Sequence, residues 1–220
     1  MQGANVSYSI TPAPTTLQRQ PEVQQHPKTA LLHIWLHPRA ALAGLAAGSG
    51  WSWLAPIGIG LLVFYTRIFT LAYVGERFMY EALMAGAAGI VVGWPVCAAL
   101  LYALTALTGS RPGFVPLLLL CAWATLPLTL RSALQVIYML SAGQPLGQPG
   151  LAGLLAGMDA SHWTVRTGQL VLGQLDLFTG WHLGLLALAV SVAVGVSISR
   201  ALIVVGMYVA LNLLFAMSWL

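Results

Sequence analysis

Charge is what this sequence has least of. Only 6% of its 220 residues are Asp, Glu, Lys or Arg, against about 25% in a soluble domain. So small a stock cannot coat a globule of this size with water-facing side chains, which excludes a soluble fold. Acid is scarcer than base: five carboxylates stand against nine basic side chains, a formal net charge of +4. The bases occur singly and form no phosphate-tracking stripe, which excludes a nucleic-acid surface. Cysteine is nearly absent too. Cys97 and Cys121 both lie in apolar runs, with no second cysteine at metal-ligand spacing, so neither a disulfide framework nor a zinc site is expected. Each reads as a small buried hydrophobe.

What the chain does have is apolar length. Hydrophobic residues make up 59% of it, and the mean hydropathy is +0.84. A bilayer core of about 30 Å needs about 20 apolar residues in a helix. Five runs meet that requirement, at about 53–74, 83–107, 114–140, 170–196 and 201–219. None alternates apolar and polar residues as a membrane strand would, and each is too long for one. The expected fold class is all-α: a polytopic membrane protein with five transmembrane helices bundled over 51–220, preceded by an interfacial helical segment. "GSRPG" at 109–113, "SISR" at 197–200 and "SAGQPLGQPG" at 141–150 read as turns and loops. The patch "LAGLLAGM" at 151–158 is too short to span. It is expected to dip into the membrane or lie on it.

Residues 1–28 contain no apolar core of a signal peptide and are rich in Pro, Gln, Thr and Ser. They read as a disordered polar tail, leaving the first span to act as its own insertion signal. Residues 29–50 read as an interfacial amphipathic segment hinged at His37–Pro38, since proline suits the first position of a helix. Basic residues in the short connections set the orientation. An inside N-terminus puts Arg19, Lys28, Arg39, Arg111 and Arg200 in the cytoplasm and only Arg77 and Arg166 outside. The expected address is the cell membrane, with the N-terminus cytoplasmic and the C-terminus outside. Glu76, Glu81 and Asp159 then fall on the outer side.

Three charges remain inside the runs: Arg67, Arg131 and Asp176. A charge at the bilayer centre costs about 2.5–3.5 kcal/mol on insertion scales, so each must pair, snorkel or line water. Counted along continuous helices at about 1.5 Å per residue, all three fall roughly 9–14 Å below the outer surface. Asp176 shares a helical face with Gly173, Gly180 and Gly184, and small residues mark close helix approaches. Arg131 shares its face with Pro127, Gln135 and Tyr138. A buried Arg131–Asp176 ion pair is therefore predicted, with Arg67 and the Glu76/Glu81 region as neighbours. One acid and two bases define no cation path, and an aspartate beside arginine makes a poor proton carrier. A lock on helix register is the favoured role, with a proton, ion or substrate site as the functional alternative.

Other constellations are weaker. His33 and His37 stand four apart, a spacing that can offer two imidazoles to a metal, but Pro38 interrupts the helix and no third ligand is near. His162 stands alone, and His182 is expected to hydrogen-bond a neighbouring helix. Gly89 and Gly93 in "GIVVG" have the spacing of a helix-packing motif. No phosphate-binding loop, nucleophile elbow or zinc-protease helix occurs, so no catalytic, cofactor or metal residue is assigned. Trp51, Trp53, Trp163, Trp181 and Trp219 fall near run ends, as an aromatic belt should.

Three stretches carry a resemblance. "HPRAAL" at 37–42, "LPLTLRSALQVIYML" at 126–140 and "LDLFTGWHLGLLALAV" at 175–190 look like the Yip1 domain family in its prokaryotic branch. A Pro-Arg opening, an Arg in the third span and an Asp-Leu-Phe followed by Trp recur there in this order, and the likeness runs from Leu36 to the C-terminus. It implies a five-helix membrane domain with a cytosolic N-terminus. In eukaryotic relatives it also implies membrane trafficking and binding to prenylated Rab-type GTPases. The short tail here does not align with the polar signatures of that branch, so GTPase binding is not carried over.

The function expected is that of a non-enzymatic scaffold, partner-binding or membrane-organising module. Its partners would be the bilayer and either another membrane protein or a second copy of the chain. The rival is a small-solute transporter or channel using the Arg/Asp cluster. Pro56, Pro95, Pro116 and Pro127 can break spans as such proteins require, but no inverted repeat is visible.

Overall fold

The computed structural model describes residues 34–47, 58–62, 65, 79–110, 113–143, 150–155, 157–159 and 161–218, and over 79–91 only the backbone path. These residues are helical, without strands. The tail at 1–28 lies outside them, as does most of the first run, including Arg67.

Helix α1, Pro38–Ala46, starts where the proline dictates, with His37 as its cap residue and Pro38 in its first turn. Its buried residues are Ala41, Leu42 and Leu45. Helix α2, Met79–Leu107, carries Pro95 inside it. Helix α3, Phe114–Ala124, is apolar on every side and buries Leu117 and every residue from Leu119 to Ala124. A helix without a polar face belongs in the middle of a bundle, and α3 indeed has α1 and α2 packed against it.

The third run continues through a kink. Thr125 separates α3 from α4, Leu126–Ala142, and Pro127 stands in the first turn of α4. Proline supplies no N–H and crowds the preceding turn, which bends the rod there. The fourth run departs from expectation. It forms two helices, α5 at Trp163–Gly173 and α6 at Leu177–Val194, with Gln174, Leu175 and Asp176 between them. Asp176 takes an extended backbone (φ −136°, ψ 162°) and caps α6 instead of continuing a helix. Helix α6 ends at Gly195 in the left-handed region, φ 72°, where glycine carries no Cβ penalty. Helix α7, Ile198–Met217, follows at once, so the "SISR" turn is shorter than expected and Arg200 is already helical.

Helix α6 is the hub, packing against α1, α3, α4 and α7. With a bilayer outside, burial of apolar surface does not itself drive helices together; close van der Waals packing and interhelical hydrogen bonds do. The interior holds Trp123, Leu120, Leu186 and Val190, each at most 2% exposed. The outside of α7 shows Leu202, Ile203, Leu214 and Phe215, a face suited to lipid and unsuited to water. Three helices among the described residues are long and apolar enough to cross a membrane: Phe114–Ala142 (α3 and α4 together), α6 and α7. The apolar part of α2, Val92–Leu107, is shorter.

The first part of the patch at 151–158 lies in a 3-10 helix, Gly150–Leu155, packed on α5. Gly150 has φ +57°, and a Cβ there would lie 2.9 Å from the carbonyl oxygen of Gly173.

Candidate functional site

The break before α6 creates the site. An aspartate with extended backbone at a helix start turns its carboxylate onto the free N–H groups of the first turn. Asp176 does this: its Oδ1 accepts from the backbone N–H of Thr179 at 2.8 Å, and its Oδ2 from the Thr179 hydroxyl at 3.0 Å. The same Oδ2 accepts from Nη1 of Arg131 at 2.6 Å. Arg131 Nη1 also lies 3.5 Å from the Thr179 hydroxyl. The side chains of Arg131 and Asp176 are 29% and 14% exposed, so the pair is shielded without being sealed. One turn into α6, Nδ1 of His182 donates to the carbonyl of Ala124 at 2.7 Å, and a carbonyl beside a proline kink is one that a neighbouring helix can satisfy. These two links, one on each side of the kink, fix the α3–α4 run antiparallel to α6.

Of the residues expected at the cluster, Arg131 and Asp176 meet directly. Gln135 and Tyr138 sit farther along α4, half-buried and exposed, and neither is hydrogen-bonded to the pair. Arg67, Glu76 and Arg77 lie outside the described residues, as does the side chain of Glu81. The depth expected for Asp176 needs correction. It is not six residues inside a continuous helix but at the first turn of α6, so it marks one end of a spanning helix. Thr179, which holds the carboxylate in place, was not foreseen. The "DxxT" spacing of a capping motif was the signal for it.

The glycines are also reassigned. A Cβ on Gly93, Gly180 or Gly184 would meet nothing within 4 Å, so none of the three marks a close helix approach among the described residues. All three are exposed among the described residues. Gly173 does support close packing, through its carbonyl against Gly150, but it does so from α5 rather than from the helix of Asp176. The surroundings of Gly89 lie outside the description.

Beside the pair opens a cleft of about 450 Å³ between α4, α6 and α7. Its polar wall comprises Arg131, Gln174, Thr179, His182, Tyr208 and Asn212, while Leu128, Leu213 and Ala216 contribute to the apolar side. Asn212 Nδ2 donates to the carbonyl of Tyr208 at 2.8 Å. Behind the cleft, the Cys97 thiol lies near both the Tyr208 hydroxyl and the Cys121 thiol. The two thiols expected to be unrelated are therefore neighbours across α2 and α3. Trp181 meets Trp35 with ring centroids 3.9 Å apart, joining the α1 region to α6. Trp163 is exposed at the start of α5, and Trp51, Trp53 and Trp219 lie outside the description, as does His33. No group of three His, Cys, Asp or Glu that could hold a metal occurs among the described residues. Away from the helices, hydrogen bonds from Ser161, first from its backbone N–H, hold the Asp159 carboxyl below its usual range.

An apolar helical bundle with helices long enough to cross a bilayer, tied among the described residues by a partly buried ion pair, is that of an integral membrane protein. Residues 32–220 match the Yip1 domain, and the chain belongs to that family. No curated protein and no solved structure matches it.

Proposed function

We propose that this chain is a non-enzymatic membrane module whose bundle serves as a scaffold, binding partner proteins or organising the membrane around it. The observation that carries this reading is the full engagement of Asp176. Its carboxylate accepts from Thr179 twice and from Arg131 once, so the one acid at the site among the described residues is committed to joining α4 and α6. A group so held is poorly suited to shuttle protons or cations. The Yip1 family is not known as an enzyme family.

The reading extends to five spans, with the first run and α2 adding two to the three apolar helices. The distribution of basic residues supports a cell-membrane protein with the N-terminus inside and the C-terminus outside. The antiparallel register supports the part of it that puts Arg111 and Arg200 on the same side. Phe114 and Val192 each stand ten residues from the His182–Ala124 link, so the α2–α3 and α6–α7 turns, near Arg111 and Arg200, share one end of the bundle.

One observation favours the transport reading: the break at 174–176 beside an open cleft resembles the discontinuous helices of carriers. A cysteine replacing Thr179, in a chain lacking Cys97 and Cys121, separates the two. A scaffold predicts modification by an impermeant thiol reagent from one face of sealed vesicles only. Modification from both faces is what alternating access requires, and it would replace the scaffold reading. Co-purification of a second membrane protein or a second copy in fixed stoichiometry is the positive sign of a scaffold.

A further inference from the structure

The two members of the ion pair are not used alike. The carboxylate of Asp176 is absorbed by its cap and its arginine, and it is not part of the cleft wall. Arg131 does form part of that wall. A guanidinium has five N–H donors in a planar fork, and among the described residues the hydrogen bonds of Arg131 all leave from Nη1. Among the described residues no group accepts from Nε or Nη2, and the side chain is 29% exposed, which leaves these donors open to an acceptor in the cleft. His182 has its Nδ1 proton committed to Ala124, so the ring adds no competing donor from that nitrogen.

The position of this guanidinium narrows what the acceptor is. Helix α6 has 18 residues, about 27 Å at ~1.5 Å per residue, close to the thickness of a bilayer core. Its cap residue, and Arg131 with it, therefore falls at the boundary between acyl chains and headgroups. The cleft has the same division. Arg131, Gln174 and Thr179 supply a polar end, while Leu128, Leu213 and Ala216 supply an apolar side. Beyond it on α7, Leu214 and Phe215 are exposed to the lipid. Its volume of about 450 Å³ falls within the usual range for small-molecule sites, about 300–1,000 Å³. An amphiphile uses both chemistries, whereas a free anion uses only the polar end.

We propose that this cleft is a phospholipid site, in which the lipid phosphate accepts hydrogen bonds from the guanidinium of Arg131 and the first part of an acyl chain lies along Leu128, Leu213 and Ala216. A phosphate is the acceptor that a guanidinium fork matches best. The inference goes beyond the scaffold reading and needs of it only that α6 crosses the bilayer.

The test is native mass spectrometry of the whole chain in mild detergent, titrated with phosphatidylglycerol or with diacylglycerol of the same acyl chains. Phosphatidylglycerol is expected to bind about tenfold more tightly, as a charge-assisted bidentate contact allows. Two variants address the two ends of the cleft. Arg131→Lys keeps the charge facing Asp176 but loses the fork, and should narrow the preference for phosphatidylglycerol over diacylglycerol. Ala216→Phe fills the apolar side without touching the pair, and should lower phosphatidylglycerol occupancy about tenfold while leaving the thermal transition in place. Equal binding of the two lipids, or unchanged binding in Ala216→Phe, would overturn the proposal. Displacement of the lipid by inorganic phosphate alone would overturn it too, by making the site one for a free anion.

Discussion

Thr179 holds Asp176 by two hydrogen bonds, one from its backbone N–H at 2.8 Å and one from its hydroxyl at 3.0 Å, while Arg131 takes the outer face of the same carboxylate. The aspartate thus does two jobs that a mutation can separate. Asparagine caps a helix about as well as aspartate but carries no charge. Asp176→Asn should therefore lose only the ion pair, and Asp176→Ala should lose the cap as well, a further ~1 kcal/mol. Thermal unfolding in detergent should rank the proteins wild type, Asp176→Asn, Asp176→Ala. Equal midpoints for the two variants would mean that the cap contributes nothing.

The dual role also changes what a charge exchange can show. Combining Arg131→Asp with Asp176→Arg restores opposite charges across α4 and α6, yet an arginine at 176 has no oxygen to accept the Thr179 N–H. The double variant is expected to stay below wild type in accumulation and thermal midpoint, and full recovery would contradict the cap. A better probe of the pair alone is Arg131→Met with Asp176→Asn. It removes both charges and keeps the cap, and it should recover part of the loss seen in Arg131→Met alone, because an uncompensated partly buried carboxylate is no longer present.

The 3-10 helix and α5 depend on one residue without a side chain. A Cβ on Gly150 would meet the carbonyl oxygens of Gly173, Leu172 and Leu175 at 2.9–3.1 Å, from a backbone at φ +57°. Gly150→Ala should loosen this pair of elements by about 1–3 kcal/mol, read as faster amide exchange across 150–173. Gly168 is the control. A Cβ there meets only the end of the flexible Leu155 side chain, at 2.8 Å, so Gly168→Ala should leave exchange nearly unchanged.

How far this arrangement was legible depends on which forces leave a local mark. The Arg131–Asp176 contact could be read because lipid penalises an unpaired charge heavily enough to force a partner, and few partners existed. The hydrogen bond from His182 to another helix was legible for the same reason. The break at 174–176 was not, because hydropathy averages over Gln174 and Asp176 and runs on through Leu170–Leu172 into Leu177. Gly180 and Gly184 have no described neighbour within 4 Å, and in a membrane a small residue can face lipid as readily as a neighbouring helix. The docking of Ala41, Leu42 and Leu45 into the bundle was hidden by their period, which suits a membrane surface equally well.

Cys97 and Cys121 show the limit of spacing rules. Twenty-four positions apart in sequence, they match no metal or disulfide pattern, yet α2 and α3 bring their thiols near one another. Mild oxidation in detergent with diamide should join them, seen as the loss of both free thiols and an intact mass lower by two hydrogens. Cys121→Ser should abolish that product. Formation of intermolecular disulfides in place of the internal one would place α2 and α3 farther apart.

The sidedness of the bundle gives the broadest test, because register and orientation fail in different ways. The α2–α3 turn at Ser110 and the α6–α7 turn at Ser197 lie at one end, and Gln174 lies at the other, beside the capped aspartate. In a chain without Cys97 and Cys121, single cysteines at these positions report which face each end occupies. With the N-terminus inside, an impermeant maleimide should label position 174 in intact spheroplasts and positions 110 and 197 only in inverted vesicles. If 110 and 197 label together from outside and 174 from inside, the antiparallel register stands and only the orientation is reversed. If 110 and 197 label from opposite faces, the helices cannot run as described, and the ion pair loses the register that brings Arg131 to Asp176.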